Sequence, residues 1–294
     1  MLPMESPFTF KDKPEVKIIL DSVNPYNNAR FTTFQLKYWR PILAETNTHR
    51  KFTRNASSSR AQSFKKRCET IYNEPTVPTH WNAEQKGMQG GMEFPNEVKD
   101  LINNEIGQLA RLTIDKIQAL NSRVKAETGY EIHKQYLNRY LEPFTQVTQL
   151  ISATNFDNFF KLRMSEEAQP EINDVATEMF WLLNENQPVS RKIHLPYISM
   201  EDLMEYGEDL CTRISVARCA RVCVHTYDGQ HYLLEKDLGL HDMLLENGHM
   251  SPFEHIALAD NNSKIVPFYN LDGWKSYRYA LDNDLSFGCS EECL

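Results

Sequence analysis

Apolar positions along the chain follow two periods, and each predicts a kind of element. Val16-Lys17-Ile18-Ile19-Leu20 reads as a strand, Phe34-Gln35-Leu36-Lys37-Tyr38 alternates with period two, and the turn-rich stretch 24–30 between them predicts an antiparallel hairpin. Pro41 opens a short helix-like run over 41–50. Residues 73–95, with Pro75, Pro78, Pro95 and the Gly-rich 87–92, read as an irregular connection. Val98, Leu101, Ile102, Ile106, Leu109, Leu112, Ile117, Leu120 and Val124 then recur at three- and four-residue steps, the mark of one long amphipathic helix. A second helical stretch is expected after Gly129, through 133–144 to the region of Leu162, broken or kinked at Pro143, which has no N–H to give. Further helices are expected over 168–184, 215–224 and 233–247, the last stopped by Gly248, with 194–199 a loop and the tail after Ala257 mixed and aromatic.

The expected fold is therefore α+β: an antiparallel sheet packed with long helices in a single domain spanning 1–294. At 41% hydrophobic the chain can bury a full core without staples. No stretch approaches the ~20 apolar residues that cross a bilayer, and the start lacks the basic-then-apolar layout of a signal peptide, so a soluble, cytoplasmic protein with no membrane partner is expected. The net charge of -8 weighs against duplex DNA as a partner, because such proteins present a dominant basic face. Six cysteines include two pairs at x3 spacing, Cys219/Cys223 and Cys289/Cys293. The first pair continues an apolar helical pattern, so reduced, mostly structural thiols are expected rather than a metal site.

Against that acidic background, Thr48-His49-Arg50-Lys51-Phe52-Thr53-Arg54-Asn55-Ala56-Ser57-Ser58-Ser59-Arg60 is basic and rich in hydroxyls. Guanidinium forks, hydroxyls and backbone N–H groups suit a phosphate or carboxylate; a solvated basic loop whose serines cap the next helix is the plainer alternative. Gly248-His249-Met250-Ser251-Pro252-Phe253-Glu254-His255 has the pattern of a capping box with Pro at the first helical position, which leaves its two histidines unexplained. In the stretch 155–172, Phe156, Phe159 and Phe160 read as core. Arg163 directly after them must be either paired or used.

Together these three stretches resemble the flavin-dependent thymidylate synthases. That family carries Arg-His-Arg followed by spaced Ser, Asn, Ser and Arg, here Thr48-His49-Arg50, Thr53, Asn55, Ser58 and Arg60. It carries Gly-His-x-[Ser/Thr]-Pro-Phe-Glu-His, complete here at 248–255, and Leu-Arg with Ala-Gln-x-Glu, here Leu162-Arg163 and Ala168-Gln169-Pro170-Glu171. Asn138-Arg139-Tyr140-Leu141-Glu142-Pro143 is similar to a further helix segment of the family. The resemblance implies methylation of dUMP to dTMP with FAD, NADPH and methylenetetrahydrofolate. Arg163 would act on the uracil ring as the catalytic and substrate-binding arginine. Ser58, Ser59, Arg60 and Arg139 would hold the nucleotide, and His49, Arg50, Asn55, Asn158, His249, Ser251 and Glu254 the flavin. It also implies a homotetramer. The motif regions would be 31–172 and 211–256, with 257–294 a tail in which Trp274 and Arg278 have no assigned role.

The order of motifs departs from the family. There the Ser-Pro-Phe-Glu-His element comes first, whereas here it follows, so the chain looks circularly permuted, which surface termini lying close together allow. Thr48 stands where the family has its first arginine, Ala56 where it has glutamate, Glu45 where glutamine is usual and Glu167 where histidine is frequent. Two other readings therefore stand beside methylation of dUMP: a related pyrimidine deoxynucleotide hydroxymethylase, or a catalytically inactive nucleotide- or RNA-binding protein of the same fold.

Overall fold

The computed structural model describes residues 9–10, 13–223 and 234–288; Cys289 and Cys293 lie outside them, as does the side chain of Cys223. The expected hairpin is present and longer than its apolar cores: β1 (Glu15–Val23) and β2 (Arg30–Trp39) pair antiparallel with Val16 opposite Leu36 and Ser22 opposite Phe31. Asn28, at φ 61°, turns the chain between them, in the left-handed region that asparagine tolerates. Two more strands extend the sheet beyond β2. β3 (Thr53–Ala56) forms one edge and β4 (Gln146–Ala153) lies between it and β2; on the other side β5 (Val189–Ser190) runs parallel to β1.

β4 corrects the expectation of helix over this region. A short α1 (Leu43–Thr46), α2 (Phe64–Asn73), the long α3 (Asn96–Thr128) and α4 (Lys134–Leu137) precede it, and a 3₁₀ segment, Asn138–Phe144, carries Pro143 directly into the strand. Leu150 and Ile151 face opposite sides of the sheet, and both sides are covered, so Val147, Leu150 and Ile151 fall at three- and four-residue steps, the local pattern of a buried helix, while Gln149 and Ser152 are buried among them. α5 (Asp157–Arg163) and α6 (Pro170–Glu185) cover the side where Phe34, Ile151, Phe156, Phe159, Val175 and Met179 form one core. α7 (Met200–Ala220) and α8 (Leu234–Glu246) cover the other, burying Leu150 with Cys211, Val216, Cys219 and Phe253. The helix expected at 215–224 is the end of α7, which starts at a Ser199–Asp202 capping box and kinks at Gly207, φ 72°. Burial pushes the Cys219 and Cys211 thiols up, consistent with structural cysteines.

α3 ends where the sequence predicts, at Gly129 in the left-handed conformation, and buries Ala110, Ile114 and Ile117 against Cys68, Ile71 and Leu141. Its outer face leaves Leu101, Leu109, Leu112 and Leu120 exposed. None of the helices among the described residues is long and apolar enough to cross a membrane.

The tail packs into the body. β6 (Ile193–His194), β7 (Ala257–Ala259) and β10 (Trp274–Ser276) make a three-stranded sheet, and β8 (Pro267–Phe268) pairs with β9 (Leu271–Asp272) before α9 (Tyr277–Asp282) closes the described chain. Trp274 is fully buried and donates its Nε1–H to the Ala29 carbonyl at 3.0 Å. Gly273 sits at φ 76°, and a Cβ there would meet the Ala29 Cβ at 2.7 Å. The Asn24 side chain donates to the Gly273 carbonyl at 2.7 Å, so the backbone is not free to retreat. Gly273→Ala is expected to destabilise the protein by about 2 kcal/mol or more, combining left-handed strain with overpacking; urea denaturation checks this, and an unchanged midpoint would refute it.

Candidate functional site

The hydroxyl-rich basic stretch begins in the turn after α1 and becomes β3, so its residues divide between a loop, a strand and a second loop. The first loop carries His49, which is buried, its ring 4.9 Å from Phe159 and perpendicular to it. Across 114 residues of sequence, Arg163 at the end of α5 donates its Nε–H to His49 Nε2 at 2.9 Å. An arginine is always a donor, so His49 accepts through Nε2 and carries its proton on Nδ1. Burial, and then the charges of Arg163 and Arg54, lower the His49 pKa and keep the ring neutral. The Arg163 Nη2 donates to Thr48 Oγ1 at 3.2 Å and lies 3.5 Å from the Glu45 carbonyl. Thr48 thus acts as an acceptor that orients Arg163, a role that no reading of position 48 as a lost arginine reveals.

On β3, alternation puts Arg54 and Ala56 on one face and Thr53 and Asn55 on the other. Ala56 joins the core beneath α5 and α6, while the Asn55 amide donates to the Cys219 carbonyl at the end of α7, at 2.8 Å. The second loop is clasped from a distance. Asn138 donates to the carbonyls of Ser59 at 2.7 Å and Gln62 at 3.0 Å, and Arg40 donates to the Ser57 carbonyl at 3.1 Å. Glu142 links Arg40 to Arg139, at 3.4 and 3.2 Å. The structure thus brings the 138–142 segment onto the 57–62 loop. Ser59 is buried, its hydroxyl without a partner among the described residues, whereas Ser58, Arg60 and Arg139 are exposed.

The third motif lies against β3 as a four-residue 3₁₀ turn, Ser251–Glu254. The expected capping box does not form: Met250, in a helical conformation, occupies the cap and Ser251 is the first residue of the turn, with no side-chain cap bond. Glu254 pairs with Arg278, which gives that tail residue a partner in a motif. His249, Ser251, Arg50 and Asn158 are exposed, and no side-chain hydrogen bond ties them to another described residue. In a single chain the structure joins His49 to Arg163 and lays Glu254 near Arg54; these four remain outside that cluster.

A buried polar chain holds this turn; His255 is the one member that belongs to a motif, and no sequence signal marks the others. His255 Nδ1 meets Ser152 Oγ at 2.7 Å, Ser152 meets Thr33 Oγ1 at 2.6 Å, Thr33 meets His194 Nε2 at 2.8 Å, and His194 Nδ1 meets Ser22 Oγ at 2.8 Å. The chain crosses β4, β2 and β1 side by side. Desolvation lowers the pKa of His255 to about 3 and that of His194 well below the usual histidine value, so both rings are neutral.

The donor set suits an anionic cofactor. Arg50 and His249 offer cationic or N–H donors and Ser251 a hydroxyl, none of them hydrogen-bonded through its side chain among the described residues, as a flavin phosphate requires. Among the described residues no group of three or more potential ligands is gathered for a metal ion.

No family model matches the chain, and no curated protein matches it either. Among solved structures, the chain is similar to a UMP/dUMP methylase PolB from Streptomyces cacaoi bound with 5-Br UMP: 13% identity, 61% of this chain and 92% of that chain, TM-score 0.44. It is also similar to a flavin dependent thymidylate synthase ThyX from Helicobacter pylori complexed with FAD and dUMP: 17% identity, 51% of this chain and 66% of that chain, TM-score 0.32. Likeness at this level assigns neither activity nor ligand to this chain.

Proposed function

We propose that this chain is a flavin-dependent methyltransferase of a pyrimidine deoxynucleotide, making dTMP from dUMP with methylenetetrahydrofolate and NADPH. The observation that supports this best is the His49–Arg163 hydrogen bond, because it joins two of the three resembling motifs in one half-buried cluster. Arg163 spends Nε and Nη2 on His49 and Thr48 and keeps Nη1 without a partner among the described residues. A guanidinium fixed on one edge and open on another suits the carbonyl and ring nitrogen of a uracil, where it would favour the N3-deprotonated base. Ser58, Ser59, Arg60 and Arg139 are proposed to hold the nucleotide, and His49, Arg50, Asn55, Asn158, His249, Ser251 and Glu254 the flavin. A bound flavin supplies hydride, so no cysteine nucleophile is needed.

The circular permutation belongs to the same proposal, as does the homotetramer, which the leucines exposed along α3 support. Association would bring the exposed motif residues of one chain beside the paired ones of another.

The test is the visible spectrum of the freshly purified protein, then reduction by NADPH with and without dUMP. The two absorption bands of oxidised flavin, bleached faster when dUMP is present, are the expected result. A protein that stays colourless in excess FAD would overturn the reading. It would favour the inactive nucleotide- or RNA-binding alternative, which draws support from the Asn55 amide and Glu254 carboxylate being already engaged within the chain. A hydroxymethylated product from the same protein would instead point to the hydroxymethylase. Ser251→Ala is expected to leave the melting temperature unchanged, since Ser251 caps nothing, while weakening flavin binding about tenfold; a loss of ~1 kcal/mol of stability at constant flavin affinity would return Ser251 to a capping role.

A further inference from the structure

Arg67, in the first turns of α2, is 6% exposed, and its Nε and Nη1 have no partner among the described residues. It belongs to none of the motifs above. A guanidinium is never deprotonated at neutral pH, and leaving one buried and uncompensated costs several kcal/mol, more than a marginally stable domain keeps without a reason. Burial, and then the nearby charge of Arg40, push its pKa down to about 10, which still leaves it fully charged at neutrality. The Glu142 carboxylate that also faces it is already shared between Arg40 and Arg139.

Arg67 lines a cavity of about 260 Å³ between α2 and the β2–β4 side of the sheet. Ser57, Ser58, Thr70, Thr76, Thr145 and Thr148 bring hydroxyls to its wall, of which Thr70 and Thr145 donate to backbone carbonyls, and Lys66 and Lys37 bring two more cations, the latter already paired with Glu15. Glu74 is the single carboxylate in the lining. Two lysines, several hydroxyls and a buried guanidinium with two unpartnered N–H groups around a space this size match the three or four oxygens of a tetrahedral oxyanion.

We propose that the cavity under α2 binds a phosphoryl oxyanion, with Arg67 as its buried anchor and Lys66 at its mouth. The site shares Ser58 with the proposed nucleotide cradle, yet it stands whether or not the protein uses flavin or dUMP. The oxyanion is either free phosphate or the phosphate of a nucleotide, and the two are separable.

Thermal unfolding of the full chain in sodium phosphate, against sodium chloride at the same ionic strength, tests the proposal. The melting temperature is expected to climb with phosphate and not with chloride, as for any ligand that binds only the folded state. Arg67→Met is expected to melt at or above the wild-type temperature in phosphate-free buffer, because an unpaired buried charge is gone, and to lose the phosphate response. Lys66→Met, a change to an exposed residue, keeps the fold testable if the first variant does not express, and should weaken phosphate about tenfold. Identical wild-type curves in the two salts would mean that water alone solvates Arg67, and would overturn the proposal; so would a phosphate response undiminished in both variants. Competition then identifies the source: dUMP, but not deoxyuridine, displacing phosphate would assign the cavity to a nucleotide, and phosphate binding unaffected by dUMP would assign it to the free ion. Neither arm requires bound flavin, so failure of the proposed activity leaves this test intact.

Discussion

Arg163→Ala is expected to abolish formation of dTMP while flavin remains bound. Removing one preorganised donor from a developing negative charge costs on the order of 10²- to 10³-fold in kcat, and here the same residue also fixes the neighbouring ring. Arg163 reaches His49 and Thr48 through two different nitrogens at once. Lysine has a single rotating ammonium and cannot reproduce that fork, so Arg163→Lys is expected to be nearly as inactive as the alanine variant. His49 would lose one of the charges that lower its pKa, but burial, the larger cause, would still keep it largely neutral. Steady-state product formation and the flavin spectrum, measured on the same preparation, decide the matter. Full flavin occupancy with no product fits a base-orienting arginine. Loss of flavin with loss of activity would move Arg163 into the cofactor site, and retained activity would remove it from both.

The elements legible in the sequence are those whose environment differs between their two sides. β2 alternates because its two faces meet different partners; α3 shows a helical period, but Leu101, Leu109, Leu112 and Leu120, four of the nine residues that carry it, lie exposed, so its apolar stripe extends beyond the face that meets α2. β4 fails the same reading for a physical reason: flanked by β2 and β3 and covered on both faces, it buries Gln149 on the side of Val147 and Ile151, and Ser152 on the side of Leu150, so polar and apolar residues do not divide between its faces and set no period of two. Val147, Thr148 and Ile151 are the β-branched residues that could have marked it, and Pro143, where the sequence predicts a break or kink, lies in the last turn of the 3₁₀ segment before the strand begins. The first half of α7 was hidden by its acidic, mostly exposed residues and by Gly207.

The site divides in a similar way. His49 and Arg163 belong to motifs and meet in space, so the pairing of two distant stretches was legible as a resemblance. Their geometry was not, because it depends on Thr48 accepting from Arg163 and on Phe159 closing against the imidazole. Asn138 and His255 lie inside resembling segments, but nothing in those segments shows what they bind, and Arg67, Ser22, Thr33, Ser152 and His194 belong to none of the motifs. Each acquires its meaning only from residues brought to it by the sheet, and a lone serine or histidine on a strand looks the same whether it is wired or not.

That chain carries the second large effect, a loss of stability as pH falls. A histidine held neutral in the fold binds no proton where the unfolded chain, with its pKa near 6.5, does. Its stabilisation is therefore complete above ~6.5 and is lost at about 1.4 kcal/mol per pH unit below it, until the folded pKa is reached. For His255, whose folded value is about 3, the window runs from ~6.5 down to about 3 and is worth on the order of 5 kcal/mol, comparable with the whole stability of a domain. His194 and His49 act in the same direction. His80 acts in the opposite one: burial disfavours its charge, but hydrogen bonds to Asp174 and Glu93 raise its pKa, so its contribution is present below ~6.5 and fades as pH rises. Three lowered groups against one raised group leave a net fall, and urea midpoints taken between pH ~7 and ~5 should show it. His255→Phe should flatten the slope by about 1.4 kcal/mol per pH unit, whereas Ser152→Ala should lower stability by about 1–3 kcal/mol and leave the slope alone, because it removes a partner and not a titrating group. A wild-type profile flat across that range would refute the assignment of buried, neutral histidines. Because His255 directly follows Glu254, its protonation should release the 251–254 turn before the sheet unfolds. Acid should therefore weaken any ligand held by Glu254 at a higher pH than it unfolds the chain.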